Sequence, residues 1–373
     1  MKLVINLKLV PDAAQQRALQ ETLERCNQSC NWLSGLAFKA EVFGQYALHK
    51  AHYYAMREQF GLTAQAAVRC IAKVADAYKL KNKRDKLREF RKWAAQPFDD
   101  QIFRFAKGDN INIWTLEGRQ TIPFVCGKRQ RELIPFRKGE VDLLFVKGKW
   151  YASCVVEVDE ADPIVPKGVL GVDLGIVQIA TDSMGEAFSG AQVEAVRARY
   201  AAHRAMLQKA GSRRARRRLH AMSGKQSGFQ KIVNHTISKA IVSKAKRLSL
   251  SIAVEELTGI RDGIKARKAA RGKLHNWSFA DLRAKLEYKA KRAGIPITSV
   301  DPRNTSRQCP ACGHTAKANR RSQSLFSCKA CGHSSNADVV GAVNIAARVA
   351  LHVTQPYKFA HRSVLGAVES PRL

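Results

Sequence analysis

The stretch 300–347, VDPRNTSRQCPACGHTAKANRRSQSLFSCKACGHSSNADVVGAVNIAA, decides how the chain is read. It holds two CxxC pairs, Cys309/Cys312 and Cys328/Cys331, with fifteen residues between them. Zinc takes tetrahedral thiolates, and two knuckles deliver four from two tight turns. The separation falls in the zinc-ribbon range. One structural zinc ion is therefore expected on these four cysteines. Dithiol redox chemistry fits less well, because there are two knuckles and no flanking βαβ unit. His314 and His333 lie nearby but read as surface or phosphate-contacting residues, since four thiols complete the shell. Asp338 follows seven residues after the last cysteine and opens an apolar run, 339–350, that reads as a helix. A metal knot pressed against a carboxylate needs an explanation from the rest of the chain.

Composition narrows that explanation. The 373 residues carry 64 Lys and Arg against 31 Asp and Glu, a net +33 with a pI near 10.2. Such an excess asks for a polyanion, and nucleic acid is the natural one, because phosphate contacts release counterions. Length allows two or three domains, and 45% hydrophobic content excludes global disorder. No apolar run approaches the ~18 residues of a membrane span. The opening MKLVINLKLVPD alternates like a strand and lacks the cleavage site of a signal peptide. Nine cysteines, five of them scattered, point to a reducing cytosol and against disulfides.

Along the chain, 2–10 reads as a strand, and Pro11-Asp12 opens helices at 16–40 and 63–80. The second helix is expected to continue into the basic segment 79–92, which contains Lys83 and Arg84. Short alternating strands with Gly turns fill 97–158, a small antiparallel sheet or barrel that strand 2–10 could join. Trp114, Phe124, Phe145, Trp150 and Tyr151 read mostly as its core. Residues 159–167 read as a linker. Next comes GVLGVDLGIVQIATDS, an apolar run interrupted by Asp173. Residues 195–254 hold fifteen Lys and Arg and no acid, and read as a helical hairpin bending within 209–231. A solvated face would mix signs, so phosphate contact is the better reading, with Arg213, Arg214, Arg216, Arg217 and Arg218 as contacts. Strand RLSLSIAVEE ends in Glu255 and Glu256. Basic loop 261–275, with Lys265 and Arg267, reads as a further contact and a lid, before an amphipathic helix at 276–294.

Asp173, Glu255 and Asp338 each sit at the edge of an apolar element. Singly, each has a local reading: strand-end acid for the first two, helix N-cap for Asp338. In this order, with a basic hairpin between and a ribbon before the last, they match an RNase H-like fold, which brings such acids together. Converging carboxylates bind Mg²⁺, and a pair of ions serves phosphodiester hydrolysis.

The motifs GVDLGIVQIATDS, IAVEEL, NTSRQCPACGH…FSCKACGH and NADVVGAVNIA resemble those of TnpB, the OrfB-type protein of small insertion sequences and an ancestor-like relative of type V CRISPR effector nucleases. The resemblance spans about 168–350. It implies an α/β plus β-barrel architecture. A wedge barrel (1–10 and 96–160) would be interrupted by a helical recognition domain (11–95). An RNase H-like RuvC domain (161–304 and 336–351) would hold an inserted zinc ribbon (305–335) and be followed by a partly disordered tail (352–373). It further implies an RNA-guided, Mg²⁺-dependent DNA endonuclease of the prokaryotic cytosol or nucleoid, often named a transposase. Its partners would be a guide RNA from the transposon end and double-stranded target DNA, with a monomer expected. Asp173, Glu255 and Asp338 take the carboxylate positions; Glu255 is chosen over Glu256 because the family's acid precedes an acidic-Leu pair, here Glu256-Leu257. Around Asp338 many relatives read DRDxNAAxNI, whereas this chain reads NADVVGAVNI. A transposase acting directly in recombination and a non-cleaving RNA-guided repressor are the competing functions.

Overall fold

The computed structural model describes residues 1–80, 84–257 and 279–354. The chain divides into two compact units, Met1–Asp159 and Glu160–Leu373.

In the first unit, β1 (Lys2–Leu9) leads into α1 (Ala13–Lys39), α2 (Gln45–Phe60) and α3 (Ala64–Ala77). Strands β2 (Gln96–Phe98), β3 (Phe103–Ala106), β4 (Asn110–Thr115) and β5 (Gly118–Val125) follow. A short α4 (Lys128–Leu133) precedes β6 (Arg137–Val146) and β7 (Lys149–Glu157). The antiparallel strands run in the order β2-β6-β7-β1-β5-β4-β3, so β1 sits centrally although it comes first in the chain. This is a near-barrel: β2 and β3 are its ends, with no pairing between them among the described residues. Trp114, Phe124 and Trp150 are buried in its core.

Asp12 starts α1 through a reciprocal capping box. Its carboxylate accepts from Gln15 N at 2.8 Å, while Gln15 Oε1 accepts from Asp12 N at 3.2 Å. The described residues of 79–92, namely 79–80 and 84–92, are not helical, contrary to the sequence expectation. Helix α3 ends at Tyr78, whose fully buried ring carries a hydroxyl that accepts from Arg88 N at 2.9 Å. Polar residues of α1 then take up the returning backbone. Ser34 donates to Arg88 O, Asn31 pairs both ways with Phe90, and Asn27 donates to Ala94 O. Asn27, Asn31 and Ser34 share one helix face at i, i+4 and i+7, and their hydrogen bonds outcompete continuation of α3.

The second unit begins with β8 (Gly168–Asp173), β9 (Gln178–Asp182) and β10 (Ala187–Ser189), then α5 (Ala191–Ala210) and α6 (Arg213–Leu248). It continues with β11 (Leu250–Glu255), α7 (Phe279–Arg292), β12 (Ile297–Val300), the ribbon hairpin β13 (Leu325–Ser327) and β14 (Ser334–Asn336), and α8 (Ala337–Thr354). The five-stranded sheet has the order β10-β9-β8-β11-β12. Strands β8, β11 and β12 are parallel, and β9 is antiparallel to β8. Every residue of β11 is buried, as expected for a parallel strand covered on both faces. The inner half of α6 (Ile237, Ile241, Val242, Ala245) packs in one core with Leu282, Leu286 and Ala290 of α7.

The hairpin bend is tighter than the sequence suggested. It is confined to Gly211-Ser212, and 213–231 is helix. Gly211 adopts φ 59°, and Ser212 Oγ accepts from Ala215 N at 3.1 Å. The five arginines 213–218 therefore lie on the opening turns of α6. Loop 261–275, Lys83, Lys265, Arg267 and the tail beyond 354 lie outside the described residues. No described helix is long and apolar enough to cross a membrane.

Candidate metal centres

The two knuckles fold as copies of one turn. Cys309 N donates to His314 O at 3.0 Å and Gly313 N to Cys309 O at 2.9 Å. Cys328 N donates to His333 O at 2.8 Å and Gly332 N to Cys328 O at 3.1 Å. Gly313 and Gly332 sit at φ 75° and 74°, a conformation open to glycine with little strain. The histidines thus contribute main-chain carbonyls, and the four thiols form the cluster. All four Sγ atoms lie within 4.8 Å of one another, with Cys309–Cys331 and Cys312–Cys328 at 3.6 Å. Tetrahedral coordination with bonds of ~2.3 Å requires sulfur separations of about 3.8 Å, so the donor set fits a four-coordinate metal. Backbone amides, Cys331 N–H foremost, pull the Cys328 thiol down to about 6.

Asn319 braces the knuckles. Fully buried, it donates to Arg307 O (3.0 Å) and His314 O (3.1 Å) and accepts from Lys329 N (3.0 Å). The next residue, Arg320, donates to Asp338 Oδ1 at 3.2 Å and to Gln323 O at 3.0 Å. The thiolate cluster therefore fixes a cation beside a carboxylate.

Asp173 and Glu255 end neighbouring parallel strands. The register pairs Val172 with Val254, so the following residues, the two acids, emerge at the same sheet end. Helix α8 brings Asp338 to them through two close approaches. A Cβ at Gly171 would lie 1.9 Å from Ala342 O, and one at Gly341 would lie 2.9 Å from Asp173 Oδ2. Only glycine lets the helix lie this close to β8. Asp338 shares a face with Gly341 at i, i+3 and so points toward Asp173. The N-cap reading of Asp338 is set aside: Asn336 Oδ1 caps α8, accepting from Asp338 N at 2.9 Å.

The electrostatics follow from this convergence. Burial, then the charges of Glu255 and Asp338, push the Asp173 carboxyl up to about 7, against the pull of Arg320. Burial also raises Glu255 and Asp338. Among the described residues, the four thiols are the only group of three or more such side chains with all ligand atoms within 4.8 Å; the carboxylates stand wider. Glu256 is occupied elsewhere, paired with Arg283 at 2.5 and 2.7 Å.

Thr305 and Asn344 complete the surroundings. Thr305 Oγ1 lies 2.5 Å from Glu255 Oε1, and Asn344 Nδ2 donates to Thr305 O at 2.7 Å and Gln308 O at 2.8 Å. Sequence reasoning missed Arg320, Thr305 and Asn344. Asn344 left a usable signal, since a polar residue inside an apolar helix must find partners. Of the expected nucleic-acid contacts, the five arginines 213–218 are exposed. Arg84 is exposed as well, stacked 5.2 Å over Phe43 and donating to Tyr78 O at 3.0 Å.

Residues 279–345 match the family model described as Cas12f1-like, TNB domain. The chain is 30% identical over 198 residues to the CRISPR-associated endodeoxyribonuclease Cas12f1 of Syntrophomonas palmitatica, covering 48% of this chain and 39% of that protein. It is 36% identical over 112 residues to a TnpB-like protein of Methanocaldococcus jannaschii, covering 30% and 40%. With the putative RNA-guided DNA endonuclease InsQ of Escherichia coli K12, identity is 29% over 217 residues, covering 54% of each. The alignments thus span about two fifths to one half of these relatives. Its fold is similar to that of Cas12f1 in a solved Cas12f1–sgRNA–target DNA complex, with a TM-score of 0.59, 17% identity, and coverage of 89% of this chain and 82% of that one. Over these regions the chain is similar to TnpB-like proteins and to Cas12f1.

Proposed function

We propose that the chain is a transposon-associated, RNA-guided DNA endonuclease. The observation that carries this reading is the meeting of Asp173, Glu255 and Asp338, from two parallel strand ends and a helix start, within a strongly basic chain. Relatives named endodeoxyribonuclease and RNA-guided DNA endonuclease support it, as does the likeness to a fold seen with guide RNA and target DNA.

In this reading the second unit is a RuvC-type, RNase H-like nuclease domain (161–304 and 336–351) with a zinc ribbon (305–335) inserted before its last helix. The first unit is a wedge barrel (1–10 and 96–160) interrupted by a helical recognition domain (11–95). Asp173, Glu255 and Asp338 would hold magnesium, two ions in all, and Cys309, Cys312, Cys328 and Cys331 one structural zinc. Bound magnesium supplies activation of water and stabilisation of the leaving oxygen. The protein's own groups prepare that site. Burial raises the carboxyl groups, so they favour protons or cations over bare charge. Thr305 donates to Glu255 and holds its orientation. Arg320 offsets the charge of Asp338 and is placed to meet a phosphate. Guide–target pairing would supply sequence specificity, with the protein holding the nucleic-acid backbone.

The test is purification of the chain with its native locus, sequencing of the co-purified RNA, and a Mg²⁺-dependent cleavage assay. A discrete transposon-end RNA, and cleavage lost in Asp173→Ala and Asp338→Ala, are expected. Absence of such an RNA would sink the guided reading, and cleavage that survives both substitutions would sink the site.

A further inference from the structure

Helices α5 and α6 enclose a cleft of about 300 Å³ that the carboxylate site does not use. Arg199, Tyr200 and His203 line it from α5, and Arg218, Met222 and Lys225 from α6. The spacings 199/203 and 218/222/225 put each set on one helix face. Met222 is buried and lines the cleft together with Tyr200, while Arg199, Arg218 and Lys225, which also line it, are exposed. Arg204 Nη2 donates to Gln226 Oε1 at 2.7 Å and ties the two helices together alongside. No acidic residue occurs anywhere in 195–254 to neutralise the rim.

We infer that this cleft takes one unstacked nucleotide of a single strand, its base on Tyr200 and Met222 and its phosphate on Arg199, Arg218 and Lys225. Three features carry the inference. The volume sits at the small end of ligand pockets, which suits one nucleotide. An aromatic ring in the same lining as a buried methionine offers a stacking surface that any base satisfies. A cationic rim on the same cleft matches the phosphate attached to that base. A purely electrostatic phosphate track would need neither Tyr200 nor a buried Met222. A duplex keeps its bases stacked inward and cannot present one to the cleft. The inference rests on the nucleic-acid reading of the chain and not on cleavage.

Methyl NMR on the full chain tests it. There are five methionines, and Met222→Leu assigns the resonance of interest. The probes are inorganic phosphate, adenosine, AMP and the 5′-phosphorylated trinucleotide AAA, all without magnesium. AMP is expected to shift the Met222 methyl by ring current, and more tightly than adenosine, while the Met56 and Met184 methyls stay still. The trinucleotide is expected to bind at least ~10-fold more tightly than AMP through its added phosphates. Tyr200→Ala should weaken AMP and trinucleotide alike, by roughly 5- to 100-fold. Arg199→Gln, Arg218→Gln and Lys225→Gln together should reduce AMP to the affinity of adenosine. The inference is overturned if Met222 does not respond, if phosphate alone reproduces the response, or if AMP outbinds the trinucleotide, which marks a free-nucleotide site. Cleavage by the same preparation in magnesium tests the proposed function separately.

Discussion

Replacing Asp173 by Asn is expected to stabilise the protein in magnesium-free buffer. The carboxyl is held at about 7 rather than 3.8, mainly by burial and then by the charges of Glu255 and Asp338. The sign follows from linkage. Between these values the unfolded chain has released the proton that the folded chain still holds, so stability falls as pH rises. Below about 4 the penalty is absent, and above about 7 it is fully present. The interval corresponds to roughly 4 kcal/mol at 1.36 kcal/mol per tenfold; partial solvent contact reduces this to about 2–4 kcal/mol. Asn keeps the shape and removes the charge. Calorimetry at pH 8, with the thiolate-bound metal retained and no magnesium added, should show the unfolding of the second unit raised by roughly 4–16 °C. At pH 4 the two proteins should unfold together. Magnesium at pH 8 should reverse the order, because a ligand of the native state stabilises only the protein that binds it. If Asp173→Asn lowers stability at pH 8, or raises it equally at pH 4, the account of this carboxylate is wrong.

Gly171→Ala forces a methyl group to within 1.9 Å of Ala342 O. A backbone atom cannot rotate aside, so the second unit should lose more than ~3 kcal/mol in denaturant titration; an unchanged midpoint would refute the close approach of α8. Thr305→Val removes the hydroxyl beside Glu255 while keeping the volume. Cleavage should then need a higher magnesium concentration, Thr305→Ser should restore the wild-type dependence, and identical dependence in all three proteins would deny Thr305 a positioning role. Cys331→Ser should lower metal content and expose Asn319 and Arg320 to exchange, read by amide hydrogen exchange of 314–330. Unaltered protection there would separate the ribbon from the carboxylates.

The thiolate cluster was legible in the sequence because its geometry is local: each CxxC-Gly-His turn closes on itself, and two such turns need only meet. The strand ends at Asp173 and Glu255 were legible because an acid in a buried run is costly and marks a strand end. Even the entry of β1 into a later sheet could be anticipated from its alternation. The tertiary structure alone decided the rest. Arg320 is one arginine among 64 basic residues until the Asn319 brace aims it at Asp338. Gly171 and Gly341 look like ordinary glycines until α8 lies across β8. Helix α3 has a basic continuation of good helical propensity, yet Tyr78 and a polar face of α1 more than 40 residues earlier turn it back. Local propensity and spacing fix elements and turns; distances between residues far apart in the chain fix charges, close approaches and termini, and these exist only once the chain has folded.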